Sequence, residues 1–287
     1  MKILFFEYAM ATNCREFLAE GKMMFDKLLY EFLSLGSVVT LINKELSRPY
    51  KNIKNLKVVE PTNLFETLRK INNFDYFLVI APEEDNILYE LTKILEPKGV
   101  NLGSSSKAIK VAGDKYLTYE ALKDIVKVPK TFQPRKYIVK RRDGCGSQFR
   151  VYDEKYIIQE FVEGSPYSAS FIVGKRGIKF LSLNKQIVDE SGFKGAEVNI
   201  DHERKEEIID ECEKALKRID GLNGYVGVDL VIDDNIYIIE INPRITTTVW
   251  GLMTEPPLAK LLIDNAEGKE IKIEKVVGKK FKVGEYG

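Results

Sequence analysis

Hydrophobic positions along the first hundred residues change period several times. Residues 2–6 are an apolar run of strand length. Phe17, Leu18, Met24, Phe25, Leu28, Leu29, Phe32 and Leu33 then recur at helical spacing over residues 16–35, until Gly36. The strand pattern returns at 37–42 and 76–80, and the helical one at 65–72 and 88–95, closed by Pro97 and Gly99. Strands alternating with helices predict a parallel α/β layer. Gly103 to Lys107, with three consecutive serines, reads as a hinge, which places a first domain at 1–104. Beyond it a helix is expected at 115–124 and an amphipathic one at 203–219, among strands at 137–141, 156–161, 168–173, 179–188, 224–232 and 235–242. The fold class is α/β followed by α+β, with a small lobe at 105–165 and a C-terminal lobe at 166–287.

One pair of strands departs from simple amphipathic alternation. GYVGVDLVIDDNIYIIEINPR holds two apolar strands around the turn signal Asp233-Asp234-Asn235. A two-residue or a four-residue loop sets Asp229 opposite Glu240; a three-residue loop shifts the register by one. Facing carboxylates have Cβ atoms about 4.5–5.5 Å apart and repel each other. A divalent cation between them converts the repulsion into coordination. Asn242, two residues on, adds a neutral oxygen on the same face. Three hard oxygen donors suit Mg²⁺ or Mn²⁺ better than zinc, and a bridging Glu240 suits two ions. Arg244 follows on that face and suits a phosphate or acyl-phosphate oxygen.

Composition removes competing chemistries. The 287 residues include one histidine and three widely spaced cysteines, Cys14, Cys145 and Cys212, which argues against Ser-His-Asp catalysis, a disulfide framework and a cysteine-based zinc site. Lys+Arg is 44 and Asp+Glu 43, a net charge of +1, so no overall field draws the chain to nucleic acid or to an anionic membrane. No apolar run is long enough for a leader or a membrane span, and the expected location is the cytoplasm.

Phosphate-binding groups are expected upstream. Lys140 ends a strand before Asp143-Gly144-Cys145-Gly146-Ser147, and glycines let backbone N–H groups approach phosphate oxygens. Neither a P-loop nor a dinucleotide fingerprint is present. Lys115 stands at a helix start, against the helix dipole, which suggests another partner. The backbone at Glu160, Phe161 and Val162 is placed to pair with an adenine edge, with Gln159 or Glu160 accepting from its amino group. Glu7 ends the first strand, where such sheets place ligand groups, and suits an ammonium. Residues 191–197, with Glu197, read as a loop that lines an acceptor site together with Thr246, Thr247 and the run to Trp250.

In this order, Gly113-Asp-Lys115, Lys140 with its glycine loop, Gln159 to Gly164, Gly227-Val-Asp229 and Glu240-Ile-Asn-Pro-Arg244 resemble the ATP-grasp superfamily of carboxylate–amine ligases. The resemblance covers about 105–250; the first hundred residues match its preceding α/β domain by layout only. It implies an ATP-grasp fold in which two α+β lobes clasp ATP. Lys115 and Lys140 would contact phosphates, the loop with Gly144, Gly146 and Ser147 would close over them, and Gln159–Val162 would hold adenine. Asp229, Glu240 and Asn242 would bind two Mg²⁺ (or Mn²⁺), with Arg244 and Lys140 acting on the transferring group. Pro166 stands where many members carry a ribose-binding glutamate, which leaves that contact to Glu163 or another group. INPRITTT and the overall size most resemble members that join the γ-carboxylate of glutamate to tyramine in methanofuran synthesis. The expected partners are a small-molecule carboxylate and amine, with no nucleic acid and no membrane, and a homodimer is allowed. Another amino-acid ligase of the superfamily, a kinase of the same fold acting on a hydroxyl and a non-catalytic nucleotide sensor are the alternatives.

Overall fold

A computed structural model describes residues 1–143 and 149–284. The N-terminal region is a five-stranded parallel sheet in the order Leu56–Val59, Ser37–Leu41, Lys2–Glu7, Tyr76–Ile80, Val100–Asn101. Helices Leu64–Lys70 and Ile87–Leu95 pack on one face, and helix Leu18–Leu35 on the other. Strand order reverses about Lys2–Glu7, so the ends of that strand and of Tyr76–Ile80 open a crevice, where sheets of this kind bind ligands.

The second body is a six-stranded antiparallel sheet: Ile236–Asn242, Gly224–Ile232, Ser165–Gly174, Gly177–Asp189, Gly192–Glu197, Lys280–Lys282. Its two faces differ in chemistry because side chains alternate along each strand. Tyr167, Ala169, Phe171, Val226, Val228, Leu230 and Ile241 pack on one side against Ile208, Cys212, Ala215 and Leu216 of helix Lys205–Lys217. The other side carries Ser168, Ser170, Asn184, Tyr225, Asp229, Glu240 and Asn242. Between the bodies lie short pairs, Thr131–Phe132 with Ile158–Gln159 and Lys136–Lys140 with Phe149–Asp153.

The expected hinge at Gly103 to Lys107 is a docked corner. Ser105 donates its N–H to Gly221 O at 2.9 Å, and its hydroxyl caps helix Ser106–Ala112. Small residues are needed there for close approach: a Cβ on Gly224 would lie 2.0 Å from Leu102 O, and the φ of +70° also favours glycine. Residues 191–197 form a strand from Gly192 rather than a loop, and the strand expected at 156–161 shrinks to Ile158–Gln159. Strands Leu56–Val59 and Phe149–Asp153 and helix Ser106–Ala112 were not expected.

Candidate active site

Asp229 does face Glu240, though by a different count from the one the turn suggests. The loop has three residues, since Ile232 pairs with Ile236, and this shifts the register by one. A bulge at Ile239 restores it, so that Asp229 pairs with Glu240 and Gly227 with Asn242. Two one-residue offsets cancel, and the carboxylates meet.

Each acid has a local partner. Asp229 accepts from Gln186 Nε2 at 2.9 Å and from Asn242 Nδ2 at 3.1 Å. Burial and the facing Glu240 charge push its carboxyl well above the usual carboxylate range. Glu240 pairs with Lys115 Nζ at 2.6 Å, with Glu83 and Asp229 also within the ammonium's electrostatic reach. Lys115 thus has the partner that its place at a helix start called for. Among the described residues no three His, Cys, Asp or Glu side chains gather as a metal site. Two opposed carboxylates and an amide nevertheless form a hard-oxygen set that suits Mg²⁺ with nucleotide oxygens completing its shell. The ammonium on Glu240 marks where positive charge is already favoured.

Arg244 is turned towards the N-terminal body. Its Nε and Nη2 donate to Glu83 Oε1 and Oε2, both at 2.9 Å, and its Nη1 donates to Ile245 O at 3.2 Å. Glu240 and Glu20 are within its electrostatic reach. Glu83 follows the end of strand Tyr76–Ile80, so the crevice at the strand reversal supplies the arginine's counter-ion.

The threonines after Arg244 divide their work. The Tyr225 hydroxyl contacts those of Ser170 and Thr246, each at 2.8 Å, and of Thr248 at 3.0 Å. One donor and two acceptors are then fully used. Thr246 is therefore spent inside the lobe, whereas Thr247 donates to Glu20 Oε2 on helix Leu18–Leu35.

Glu7 is only 2% exposed, and its Oε2 accepts from Met10 N–H at 2.8 Å to cap a short helix. Burial pushes its carboxyl up to about 7, against the lowering pull of the Met10 and Ala9 amides and of Arg244. Gly21, inside a helix where glycine costs about 1 kcal/mol relative to alanine, makes room: a Cβ there would lie 2.4 Å from Glu7 Oε2. Glu7 is thus closed off from an incoming ammonium. A carboxyl raised in the folded state contributes stability that is full below its unfolded pKa and lost as pH rises through its folded one. The window here runs from about pH 4.5 to 7. Glu7→Gln keeps an acceptor for Met10 and should be more stable than wild type by about 2–3 kcal/mol at pH 8, flattening the decline. Denaturant unfolding between pH 5 and 8 measures this; parallel curves for the two proteins would show an ordinary acid.

Other expected residues lie elsewhere. Glu197 is on the opposite sheet face from Asp229, because its partner Lys185 neighbours Gln186 along the strand. Lys140 is exposed on its hairpin, and Gly144, Gly146 and Ser147 fall outside the described residues. Gln159 donates to Thr131 Oγ1 at 3.0 Å, and Glu160 both donates its N–H to Lys130 O and accepts from Lys130 N. Phe161 is 87% exposed, Val162 half-buried and Glu163 exposed. Glu20, Glu83, Gln186 and Tyr225 were missed. Gln186 was within reach, since Ser182, Asn184 and Gln186 fall at alternate positions of one strand, between Leu181 and Ile187.

A parallel sheet with a ligand crevice, joined to an antiparallel sheet with opposed acids, is matched by known proteins. The pre ATP-grasp 3 domain matches residues 36–109 and the ATP-grasp domain residues 112–248. The chain is similar to the tyramine–L-glutamate ligase of Methanocaldococcus fervens, at 57% identity over 98% of this chain and 99% of that one. It is also similar to the tyramine–L-glutamate ligase of Methanocaldococcus jannaschii, at 54% identity over 98% and 94%. Among solved structures it resembles a putative ATP-grasp superfamily protein from Archaeoglobus fulgidus, with a TM-score of 0.69 and 35% identity over 95% of this chain and 89% of that chain. The chain belongs to the ATP-grasp family. No helix among its described residues is long and apolar enough to cross a membrane.

Proposed function

We propose that the protein is an ATP-dependent ligase that joins the γ-carboxylate of L-glutamate to the amine of tyramine, a step of methanofuran synthesis, through an acyl phosphate. The observation that carries the reading is the Asp229–Glu240 pair with Arg244 beside it; the names of the two ligases above support the substrates. Asp229, Glu240 and Asn242 would hold two Mg²⁺, and MgATP supplies the phosphoryl group. Lys115 and Arg244 place positive charge beside that group, and Lys140 with the glycine loop is proposed to cover it. Glutamate is held so that its γ-carboxylate meets the phosphoryl group, and the amine then displaces phosphate. Both steps rest on positioning and charge neutralisation, so the lone histidine is no obstacle. The lobes are proposed to divide at 1–104, 105–165 and 166–287.

The test is ADP release with glutamate and a panel of amines, with the product identified by mass. Release that needs both glutamate and tyramine, with the amide as product, is expected. Amine-independent release with a stable phosphorylated product would replace the ligase by a kinase. ATP binding without turnover across the panel would replace it by a sensor.

A further inference from the structure

Three carboxylates of the N-terminal body lie within the electrostatic reach of the single guanidinium of Arg244: Glu7, Glu20 and Glu83. Two of them are committed. Glu83 takes the Nε and Nη2 edge of the arginine, and Glu7 is buried against Gly21 as a helix cap. Glu20 is half-buried and differs from both. One of its oxygens is fixed by the Thr247 hydroxyl, and the other takes no hydrogen bond from any described residue. The arginine gives it charge and no bond.

Thr247 is itself held from behind. Tyr225, with all its hydrogen-bonding capacity used by Ser170, Thr246 and Thr248, clamps the residues on either side of it. A fixed hydroxyl of one body thus holds a carboxylate of the other, with an oxygen to spare, at the junction of the two. Glu240, a proposed metal ligand, and Glu20 both lie within the electrostatic reach of Arg244. A half-desolvated acid with an open oxygen beside a reaction centre favours a small cation with N–H donors.

The geometry points to Glu20, aimed by Thr247, as the subsite that binds a primary ammonium in the ligation. The inference rests on the ligase reading above and adds a recognition residue to it. Two sources carry this chemistry: the attacking amine and the α-ammonium of glutamate.

The experiment is calorimetric binding of tyramine and of glutamate, each to protein loaded with Mg²⁺ and a non-hydrolysable ATP analogue. Glu20→Gln should weaken one of the two by about 10-fold or more and leave analogue affinity within about 2-fold. Thr247→Val should weaken the same ligand by a smaller factor. Loss confined to tyramine assigns the subsite to the attacking amine, and loss confined to glutamate assigns it to the α-ammonium. Unchanged affinity for both, or an equal loss that includes the nucleotide analogue, overturns the proposal. Should Glu20→Gln not fold, wild type decides alone. Tyrosol should then compete far worse than tyramine, or glutarate far worse than glutamate; two isosteres as good as their parents would overturn it. Binding that depends on Glu20 in a protein without turnover would sink the ligase reading and leave the subsite standing.

Discussion

A chain carrying both Asp229→Asn and Glu240→Gln should release ADP in the presence of amine and acid at least about 10³-fold more slowly than wild type. The two positions are direct cross-strand partners, and their charges are opposed with apolar residues on the far face of the sheet. The amides preserve shape and part of the hydrogen bonding: the one at position 240 would lose the Lys115 ion pair, and the one at position 229 would still accept from Gln186 while giving up the acceptor for Asn242. Charge is what disappears, and charge is what a hard cation needs. Stability should change little, since removing two facing like charges offsets the lost ion pair. Steady-state kinetics with a thermal unfolding control reads both. Turnover near the wild-type rate would exclude the carboxylate pair as the metal site.

The second large effect is at Arg244. Replacing it by Met leaves Glu83 without its bidentate partner, at a crevice where both side chains are mostly covered, 22% and 18% exposed. Removing one partner of such a pair should cost about 2–4 kcal/mol of stability. Activity should fall by about 10²-fold or more, as for a lost electrostatic stabiliser of the transferring group. Glu83→Gln in the same chain separates the two roles. It removes the stranded charge and should restore most of the stability, while activity stays low. Activity that returns together with stability would make Arg244 a structural tie between the bodies and nothing more.

Strand and helix periods were enough to place the three central strands of the parallel sheet and the central hairpin, while the sheet's edge strands Leu56–Val59 and Val100–Asn101 were passed over. Strand Tyr76–Ile80 agrees to the residue. Asp229 and Glu240 also came together as expected, but through a three-residue loop and a bulge that no residue preference announces. A bulge answers local twist and packing, so the pattern of polar and apolar positions passes over it. The partners that were missed are distant in the chain. Arg244 and Glu83 are 161 positions apart, and Thr247 and Glu20 are 227 apart. Nothing in a linear pattern marks such pairs. The rule that ligand groups gather at strand ends applied to Glu83 as much as to Glu7, and it was Glu7 that burial had closed. The serines and glycine near 103 suggested freedom and served close packing, since small side chains are compatible with both.

The ammonium of Lys115 on Glu240 has a consequence for order of assembly. It would compete for the proposed metal position without ever diffusing away, at the high effective concentration of a tethered group. A bare divalent ion has to displace it and then leave it without a counter-charge. A nucleotide-bound ion would bring phosphates to take the lysine over, so the displaced charge would be received by the same ligand that displaced it. With the proposed site, the protein would be biased against loading with free cations and towards accepting metal and nucleotide as one unit.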